Sequence, residues 1–327
     1  INDGGSVTLN SAVVTQGTFR SSGTDFNMAD GALIDSGSST IDITADGNVT
    51  LGGLKTTSSS SLAVKIESGG DVIDGGQSHL EIDAANGTLD IKADGGIGEN
   101  DQLEIKVASL NAHSRVAGDI GIVETDGNVL NFVHTTDGDI YVKAGEDIEA
   151  TDILAGGNGT VTLISGGGDI TLDTVKAGDL GDSTVSLSAV NGNIDGGIFE
   201  GSSADLYAIT IGLTEKPTAN VSTLTIATSG ESGGYSGKLG SGTNLTTRPP
   251  EDDITGPGKI YIDGFPLFNL DENATKDVGN ISGAQENVQQ MLSDASSSDF
   301  YSEPPLLVSI DIADPGTEED YEDEEEE

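Results

Sequence analysis

The chain of 327 residues has no cysteine and no tryptophan, and aromatic residues make up only 4% of it. The absence of cysteine excludes disulfide bonds and thiolate metal sites, so hydrogen bonds and packing must hold the fold together. The shortage of aromatic residues makes a thick globular core unfavourable. Apolar residues amount to 34% and are mostly aliphatic, which suits a thin core of stacked side chains.

Basic residues are also scarce, because 13 Lys and Arg stand against 56 Asp and Glu, for a formal net charge of −43. This charge disfavours binding to DNA, RNA or an anionic membrane surface, so we expect no nucleic-acid partner. It suits high ionic strength or abundant divalent cations. The sequence has no run of 18 apolar residues, and we therefore expect no insertion into a membrane.

A short turn motif recurs along the chain. Between residues 47 and 194 the sequence contains seven copies of Gly, then Asp or Asn, then Ile or Val, and alternating strand-like segments flank most of them. The copies begin at Gly47, Gly70, Gly118, Gly127, Gly138, Gly168 and Gly192. Recurrence of this kind predicts a repeated supersecondary unit.

The spacing of the strands predicts the architecture. Central apolar residues of successive units mostly lie about 18 to 24 positions apart, which matches one coil of a parallel β-helix. These residues are Ile41, Val64, Ile82, Ile105, Val161, Val185 and Ile209. The larger gap from Ile105 to Val161 leaves room for one further rung near residues 129–133. We predict an all-β fold, a parallel β-helix or β-solenoid of about ten coils, with a small C-terminal cap region.

Alternation within the strands predicts which side chains enter the core. The predicted inward residues are Ile41, Ile43, Val49, Leu51, Leu62, Val64, Ile66, Leu80, Ile82, Leu89, Ile91, Leu103, Ile105, Val107, Val161, Leu163, Ile170, Leu172, Val185 and Leu187. The predicted outward residues include Asp42, Thr50, Lys65, Glu81, Asp90, Glu104 and Thr171. One coil cannot bury its inward residues alone, but each coil covers the next.

The repeats resemble those of a known family. Residues 47–51 and 168–172, preceded by Thr-Ile-Asp-Ile or Thr-Val-Thr-Leu, are similar to repeats of filamentous-haemagglutinin-type exoproteins, the large bacterial adhesins of two-partner secretion. The resemblance covers residues 1–246. It implies a right-handed parallel β-helix, export across the outer membrane and a location at the bacterial cell surface. The chain opens at Ile1 within a strand-like passage, so we expect a piece of a larger exported precursor.

The composition changes at Arg248-Pro249-Pro250. We therefore divide the chain into a β-helix domain (1–246), a C-terminal cap or assembly region (247–313) and an acidic tail (314–327). The cap region contains a predicted strand, one short helix over residues 282–294 and a terminal strand. The cap candidates are Ile260, Phe265, Leu267 and Phe268, and the candidates for assembly through the terminal strand are Leu306, Leu307, Val308, Ile310 and Ile312.

Asp and Asn at the turns invite a calcium hypothesis, since their oxygens are hard ligands. The calcium-binding nonapeptide requires Gly-Gly-x-Gly-x-Asp, and the nearest match, Gly156-Gly157-Asn158-Gly159-Thr160, is followed by Val161. We prefer to interpret these residues as turn formers that bond their own backbone. No cofactor is predicted, and bound Ca²⁺ stays as the alternative.

Residues suited to catalysis are few and scattered. The basic residues that could stabilise developing charge include only three arginines, Arg20, Arg115 and Arg248, in unlike contexts. The histidines, His79, His113 and His134, lie about one coil or more apart without a metal-ligand pattern, and we assign them to turns or the outward face. We therefore predict that the chain is not an enzyme.

Together these features predict a secreted or cell-surface structural β-solenoid that acts as an adhesin or extracellular fibre element. Its partners would be a host or neighbour-cell receptor or glycan, or further copies of itself. One alternative is a filament subunit that joins end to end through β-stacking and its C-terminal strand. The alternative from another class is a carbohydrate-active β-helix enzyme.

Overall fold

The computed structural model describes residues 1, 4–76, 80–178, 183–228, 234–239, 243–247, 259–262 and 265–268. These residues all belong to one compact unit, Ile1–Gly283, and the second unit, Ala284–Glu327, lies outside them. The strands are β1 (Val7–Leu9), β2 (Val13–Val14), β3 (Phe19–Gly23), β4 (Phe26–Met28), β5 (Leu33–Asp35), β6 (Ile41–Ala45), β7 (Val49–Leu51), β8 (Gly53–Lys55), β9 (Val64–Ser68), β10 (Val72–Asp74), β11 (Ile82–Ala93), β12 (Leu103–Ser114), β13 (Ile120–Glu124), β14 (Asn128–Thr135), β15 (Ile140–Ala144), β16 (Ile148–Ala155), β17 (Val161–Ser165), β18 (Ile170–Ala177), β19 (Thr184–Ala189), β20 (Ile194–Asp195), β21 (Ile198–Ala208), β22 (Thr218–Thr228), β23 (Gly234–Leu239), β24 (Asn244–Thr247), β25 (Lys259–Ile262) and β26 (Phe265–Phe268).

The strands stack in parallel as a β-solenoid of about ten turns, which confirms the predicted fold class. A strand pairs with the equivalent strand one coil later. We call the number of residues between a strand position and its partner one coil later the coil step. Among these strand pairs the coil step is short from Val185 to Ala204 and longest from Leu54 to Ile82, so the coils differ in the length of their turns. No helix occurs in the described part of the chain, and none there could span a bilayer.

The core is a narrow column of aliphatic side chains, as predicted. Of the predicted inward residues, all but Leu62 and Leu80 are buried, and Leu80 is half-buried. The gap from Ile105 to Val161 contains two rungs rather than one: β13 continues into β14, and β15 continues into β16. The predicted rung near residues 129–133 corresponds to β14.

Besides the half-buried Leu80, three side-chain placements differ from the predictions. Leu62 is 45% exposed, because it lies in the turn before β9 and Ala63 and Val64 take the inward positions. Ile209 is exposed because it follows the last residue of β21. The prediction that Glu81 faces solvent is wrong, since Glu81 is fully buried: it immediately precedes β11 at a corner, where two successive residues, Glu81 and Ile82, both turn inward.

Asp and Asn of the repeated motif bond differently from the prediction. In five of the seven copies the carboxylate or amide oxygen accepts a backbone N–H group of the next coil rather than of its own turn, whereas Asn193 Oδ1 accepts the hydroxyl of Thr210 and Asn128 Oδ1 has no hydrogen-bond partner. Asp119 accepts the N–H of Asp139 at 2.8 Å, and Asp139 in turn accepts the N–H of Thr160 at 2.8 Å. Asp169 accepts the N–H of Asn193 at 2.7 Å. The motif therefore connects coils as well as shaping turns.

Near its C-terminal end the described part of the chain departs from parallel stacking. Strand β25 continues a ladder by pairing in parallel with β23, whereas β26 pairs with β25 in the antiparallel sense, with Ile260 opposite Phe268. The predicted helix over residues 282–294 and the predicted strand over residues 306–312 lie outside the described residues.

Candidate functional site

One ladder of strands carries the most diverse outward chemistry. Its inward column is buried and consists of Ser21, Ile43, Ile66, Ile91, Ala112, Val133, Ile153, Val175, Phe199 and Ala219, paired in that order. The residues on either side of each inward residue point outward, and we call this surface the outer ladder face. Neighbouring rungs are about 4.8 Å apart, so outward side chains contact the rungs before and after them.

The outer ladder face has two columns. One contains Arg20, Asp42, Lys65, Asp90, Asn111, Phe132, Asp152, Thr174, Ile198 and Thr218, and the other contains Ser22, Thr44, Glu67, Lys92, His113, His134, Leu154, Lys176, Glu200 and Asn220. Five of the 13 Lys and Arg of the chain lie on or beside this face, counting Arg115 after the second column. The outer ladder face is therefore richer in basic residues than the rest of this acidic protein.

Charges on the first rungs form ion pairs. Lys65 lies 3.2 Å from Glu67, Lys92 lies 3.3 Å from Asp90, and Arg20 lies 3.6 Å from Asp42. Arg115 reaches back over two coils, donating from Nε to Asp94 at 2.8 Å and from Nη1 to Glu67 at 3.3 Å. In the two columns no carboxylate lies directly opposite another, because Lys65 separates Asp42 from Asp90 and Lys92 is the partner of Glu67. Like charges directly opposite would be destabilising.

The next rungs carry a cluster of rings that consists of His113, Phe132 and His134. His113 and His134 are direct partners in the ladder, with ring centroids 6.3 Å apart. Phe132 stacks on His134 at 3.7 Å and meets His113 edge-on at 5.5 Å. We call these three residues the ring cluster. It presents aromatic surface beside paired charges, a combination suited to binding rather than to burial.

An irregularity in β14 turns the ring cluster outward. Leu130 and Val133 are both buried, and the two residues between them, Asn131 and Phe132, both point outward. The register against β12 shifts at this place. Strict alternation from Leu130 would have placed Phe132 and His134 in the core. Strands β16 and β18 have the same pair of outward residues at the equivalent place, so the irregularity is a corner that successive coils share.

The surroundings of His113 favour its neutral form. Burial lowers the pKa of His113, and the nearby charges of His134, Arg115 and Lys92 lower it further, so His113 is neutral at neutral pH. His134 Nε2 lies 3.0 Å from Asp152 Oδ1 on the next rung, in a contact that lacks hydrogen-bond alignment. His134 is 17% exposed and Asp152 49%, so the carboxylate is the group that solvent and ligands reach.

The two carboxylates beside the ring cluster in its column are spaced more widely than glycoside hydrolysis requires. The carboxylates on either side of the ring cluster in its column, Asp90 and Asp152, lie three rungs apart, roughly 14 Å at the usual strand spacing. Hydrolysis needs two carboxyl groups about 5 to 9.5 Å apart. Asp90 is also paired with Lys92.

The structure brings together some of the residues considered in the sequence. His113 and His134 lie on the outward face as predicted, and His79 and Arg248 lie outside the described residues. The cap candidates Ile260, Phe265, Leu267 and Phe268 lie on the antiparallel pair β25–β26. The assembly candidates Leu306, Leu307, Val308, Ile310 and Ile312 lie outside the described residues, so the assembly role stays a prediction. Sequence reasoning missed Phe132 and Asp152, because only stacking brings them beside the histidines.

Comparison with known proteins gives no relatives. No family model, no curated protein and no solved structure matches this chain.

Proposed function

We propose that this chain is a non-catalytic, secreted or cell-surface β-solenoid that acts as an adhesin or extracellular fibre element. The observation that carries this proposal is the ring cluster on the outer ladder face, displayed on a stack of hydrogen-bonded coils. The stack gives stiffness, and the outward columns give a long surface on which adjacent rungs can contact successive units of a chain-like ligand.

The chemistry of the outer ladder face favours a glycan as that ligand. Aromatic rings offer flat apolar contacts, while Asn111, Lys92 and the exposed carboxylate of Asp152 donate or accept hydrogen bonds from hydroxyl groups. Neutral His113 can do both. A receptor protein could contact the same groups. Binding to such a protein rather than to a glycan is the other outcome of the test.

Binding to a panel of immobilised glycans and to whole cells tests the proposal. The variant Phe132→Ala/His134→Ala removes most of the ring cluster, and Tyr141→Ala is the matched control, because Tyr141 is a half-buried outward aromatic residue on β15. We expect the double variant to lose binding by at least about tenfold, the effect of about 1.4 kcal/mol, while Tyr141→Ala retains it. Equal binding by all three proteins would contradict the proposed role of the ring cluster.

The filament alternative rests on the predicted C-terminal strand, residues 306–312, which would pair with a strand edge of another copy. Electron microscopy of the full chain and of a chain ending at residue 302 tests this. Long filaments that disappear on truncation would favour the filament subunit, whereas short rods in both samples would favour the adhesin.

A further inference from the structure

Three carboxylates from two coils meet at one corner of the solenoid. Asp74 ends β10, Glu81 immediately precedes β11, and Glu104 is the second residue of β12 in the next coil. One oxygen from each side chain lies within 4.8 Å of one from each of the others. Asp74 and Glu81 lie within the longest coil step, the one from Leu54 to Ile82, and Glu104 lies in the following coil. We call these residues the corner carboxylates.

Glu81 is fully buried, and one of its oxygens has no partner. Its backbone N–H donates to the carbonyl of Glu104 at 2.9 Å, and its own carbonyl accepts the N–H of Leu54 at 2.7 Å. Its Oε2 accepts the backbone N–H of Glu104 at 2.8 Å. Its Oε1 is buried without a hydrogen-bond partner. A buried carboxylate oxygen in this state is costly unless a proton or a cation satisfies it.

We propose that the corner carboxylates bind one divalent cation of the size of Ca²⁺. Oxygens on opposite sides of a Ca²⁺ ion are about 4.6 to 5.2 Å apart, given Ca–O distances of 2.3 to 2.6 Å. Oxygens within 4.8 Å of one another can therefore all contact the same ion. Mg²⁺ demands a near-ideal octahedron at about 2.1 Å and keeps several of its waters, so three protein carboxylates suit it less well.

The charge around Glu81 is consistent with a cation. The carboxylates of Asp74 and Glu104 each have an oxygen within 4.8 Å of one from the buried Glu81, so like charges crowd together at this corner. A cation offsets their repulsion, because it stabilises the ionised carboxylates. The negative charges that stacking brings together at this corner thus attract a cation.

Solvent can deliver an ion to this corner. An open depression beside Asp74 is lined by further oxygen-bearing side chains, among them Asp71, Glu99, Asn100 and Asp101. Asp74 belongs to both the depression and the corner carboxylates. A hydrated cation can therefore approach along acidic groups and exchange water for the carboxylates one at a time.

The site differs from the calcium motif that the sequence nearly contains. The mismatched nonapeptide around Gly156–Thr160 lies several coils away and contributes nothing to it. Asp74 and Glu104 lie far apart in the sequence, on strands β10 and β12, so only the stacking of coils brings their carboxylates together. An ion held there would join two successive coils, the one that contains Glu81 and the one that contains Glu104.

Calcium titration of the full chain, freed of metal with a chelator, tests the proposal. Calorimetry and thermal unfolding would be measured for the wild type, for Glu81→Gln/Glu104→Gln, and for Glu149→Gln/Asp173→Asn. The last is a matched control that removes two charges from exposed positions on β16 and β18. We expect one tight site in the wild type and in the control, weakened at least about tenfold in the corner variant. Ca²⁺ should raise the melting temperature of the wild type and of the control, but not of the corner variant.

Two further measurements keep the test decisive. Asp74→Asn retains the acceptor for the N–H of Gly76 and removes one charge, so it reports on the site even if the double variant fails to fold. Mg²⁺ at equal ionic strength reports the effect of screening alone. Equal Ca²⁺ affinity in wild type and corner variants, or equal stabilisation by Mg²⁺, would overturn the proposal.

Discussion

Asn48 Oδ1 accepts a hydrogen bond from the backbone N–H of Asp71 at 2.9 Å, although 23 positions separate the two residues. Equivalent hydrogen bonds occur one coil before and one coil after this one. Asp25 Oδ1 accepts the N–H of Asn48 at 3.2 Å, and Asp71 Oδ1 accepts the N–H of Gly96 at 3.0 Å. Each side chain satisfies a corner amide of the next coil, so the requirement for Asp or Asn in one coil is set by its neighbour.

This relation predicts the effect of changing Asn48. Asn48→Ala leaves the N–H of Asp71 without its acceptor and should lower the free energy of unfolding by about 0.5 to 1.5 kcal/mol. Asn48→Asp keeps the acceptor, as Asp25 and Asp71 do, and should cost less in buffer containing salt. Urea unfolding followed by circular dichroism measures both. A larger loss of unfolding free energy for Asn48→Asp than for Asn48→Ala would show that the hydrogen bond to the N–H of Asp71 is not how Asn48 stabilises the fold.

The repeat itself could be predicted because its signals are local. Strands such as β6 and β9 alternate regularly between buried and outward residues, so Ile41, Ile43, Val64 and Ile66 are identifiable as core from sequence alone. The failures lie at corners. Glu81 turns inward at a strand entry, where alternation does not apply and where no sequence pattern marks the change of direction.

The ring cluster could not be predicted for a different reason. His113 and His134 are partners, but the pairing depends on the register shift in β14 that separates Leu130 from Val133. A sequence reader who assumes strict alternation places Phe132 inside. The signal that could have found it is the spacing of three between two aliphatic residues, where alternation requires an even spacing.

The placement of Phe132 and Val133 gives a direct test of this irregularity. Val133→Asp would bury an unpaired charge and should destabilise the fold by several kcal/mol or prevent folding. Phe132→Asp places its charge outward and should cost about 1 to 2 kcal/mol through loss of ring packing. Urea unfolding or soluble yield ranks the two variants. The reverse order would mean that β14 alternates regularly and that the ring cluster is not on the surface.

Arg115 connects three coils and should matter more than other surface cations. It contacts Asp94 one coil back, and Glu67 and the carbonyl of Ser68 two coils back. We expect Arg115→Ala to lower the free energy of unfolding by about 1 kcal/mol at low salt, and by less in 1 M NaCl, because the pairs are partly exposed and screened. Arg20→Ala is the control, since the 77% exposed side chain of Arg20 makes a single pair with Asp42 at 3.6 Å. Equal, salt-independent effects of both substitutions would contradict a bridging role.

The buried carboxyl group of Glu124 should make the stability of the fold depend on pH. Its carboxylate is buried and accepts the N–H groups of Val107, at 3.2 and 3.3 Å, and Thr125, at 3.1 Å, together with the amide of Asn128 at 2.9 Å. Burial, and then the neighbouring Asp126, raise the pKa of Glu124 from 4.5 to about 8. Lys106 offsets part of the charge of Asp126, which it contacts at 3.1 Å.

Because the folded pKa is raised, the native state binds more protons than the unfolded chain between about pH 4.5 and 8. The contribution of Glu124 is therefore fully present below pH 4.5 and is lost as the pH rises to about 8. Glu124→Gln imitates the protonated form, and its amide can donate to Asn128 Oδ1, which otherwise lacks a partner. We expect the variant to lose about 2 kcal/mol less stability than the wild type between pH 5 and 8. Urea unfolding at a series of pH values, at constant ionic strength, measures the difference. Parallel profiles for the two proteins would mean that Glu124 is already ionised in the fold, and that its four hydrogen bonds outweigh the cost of its burial.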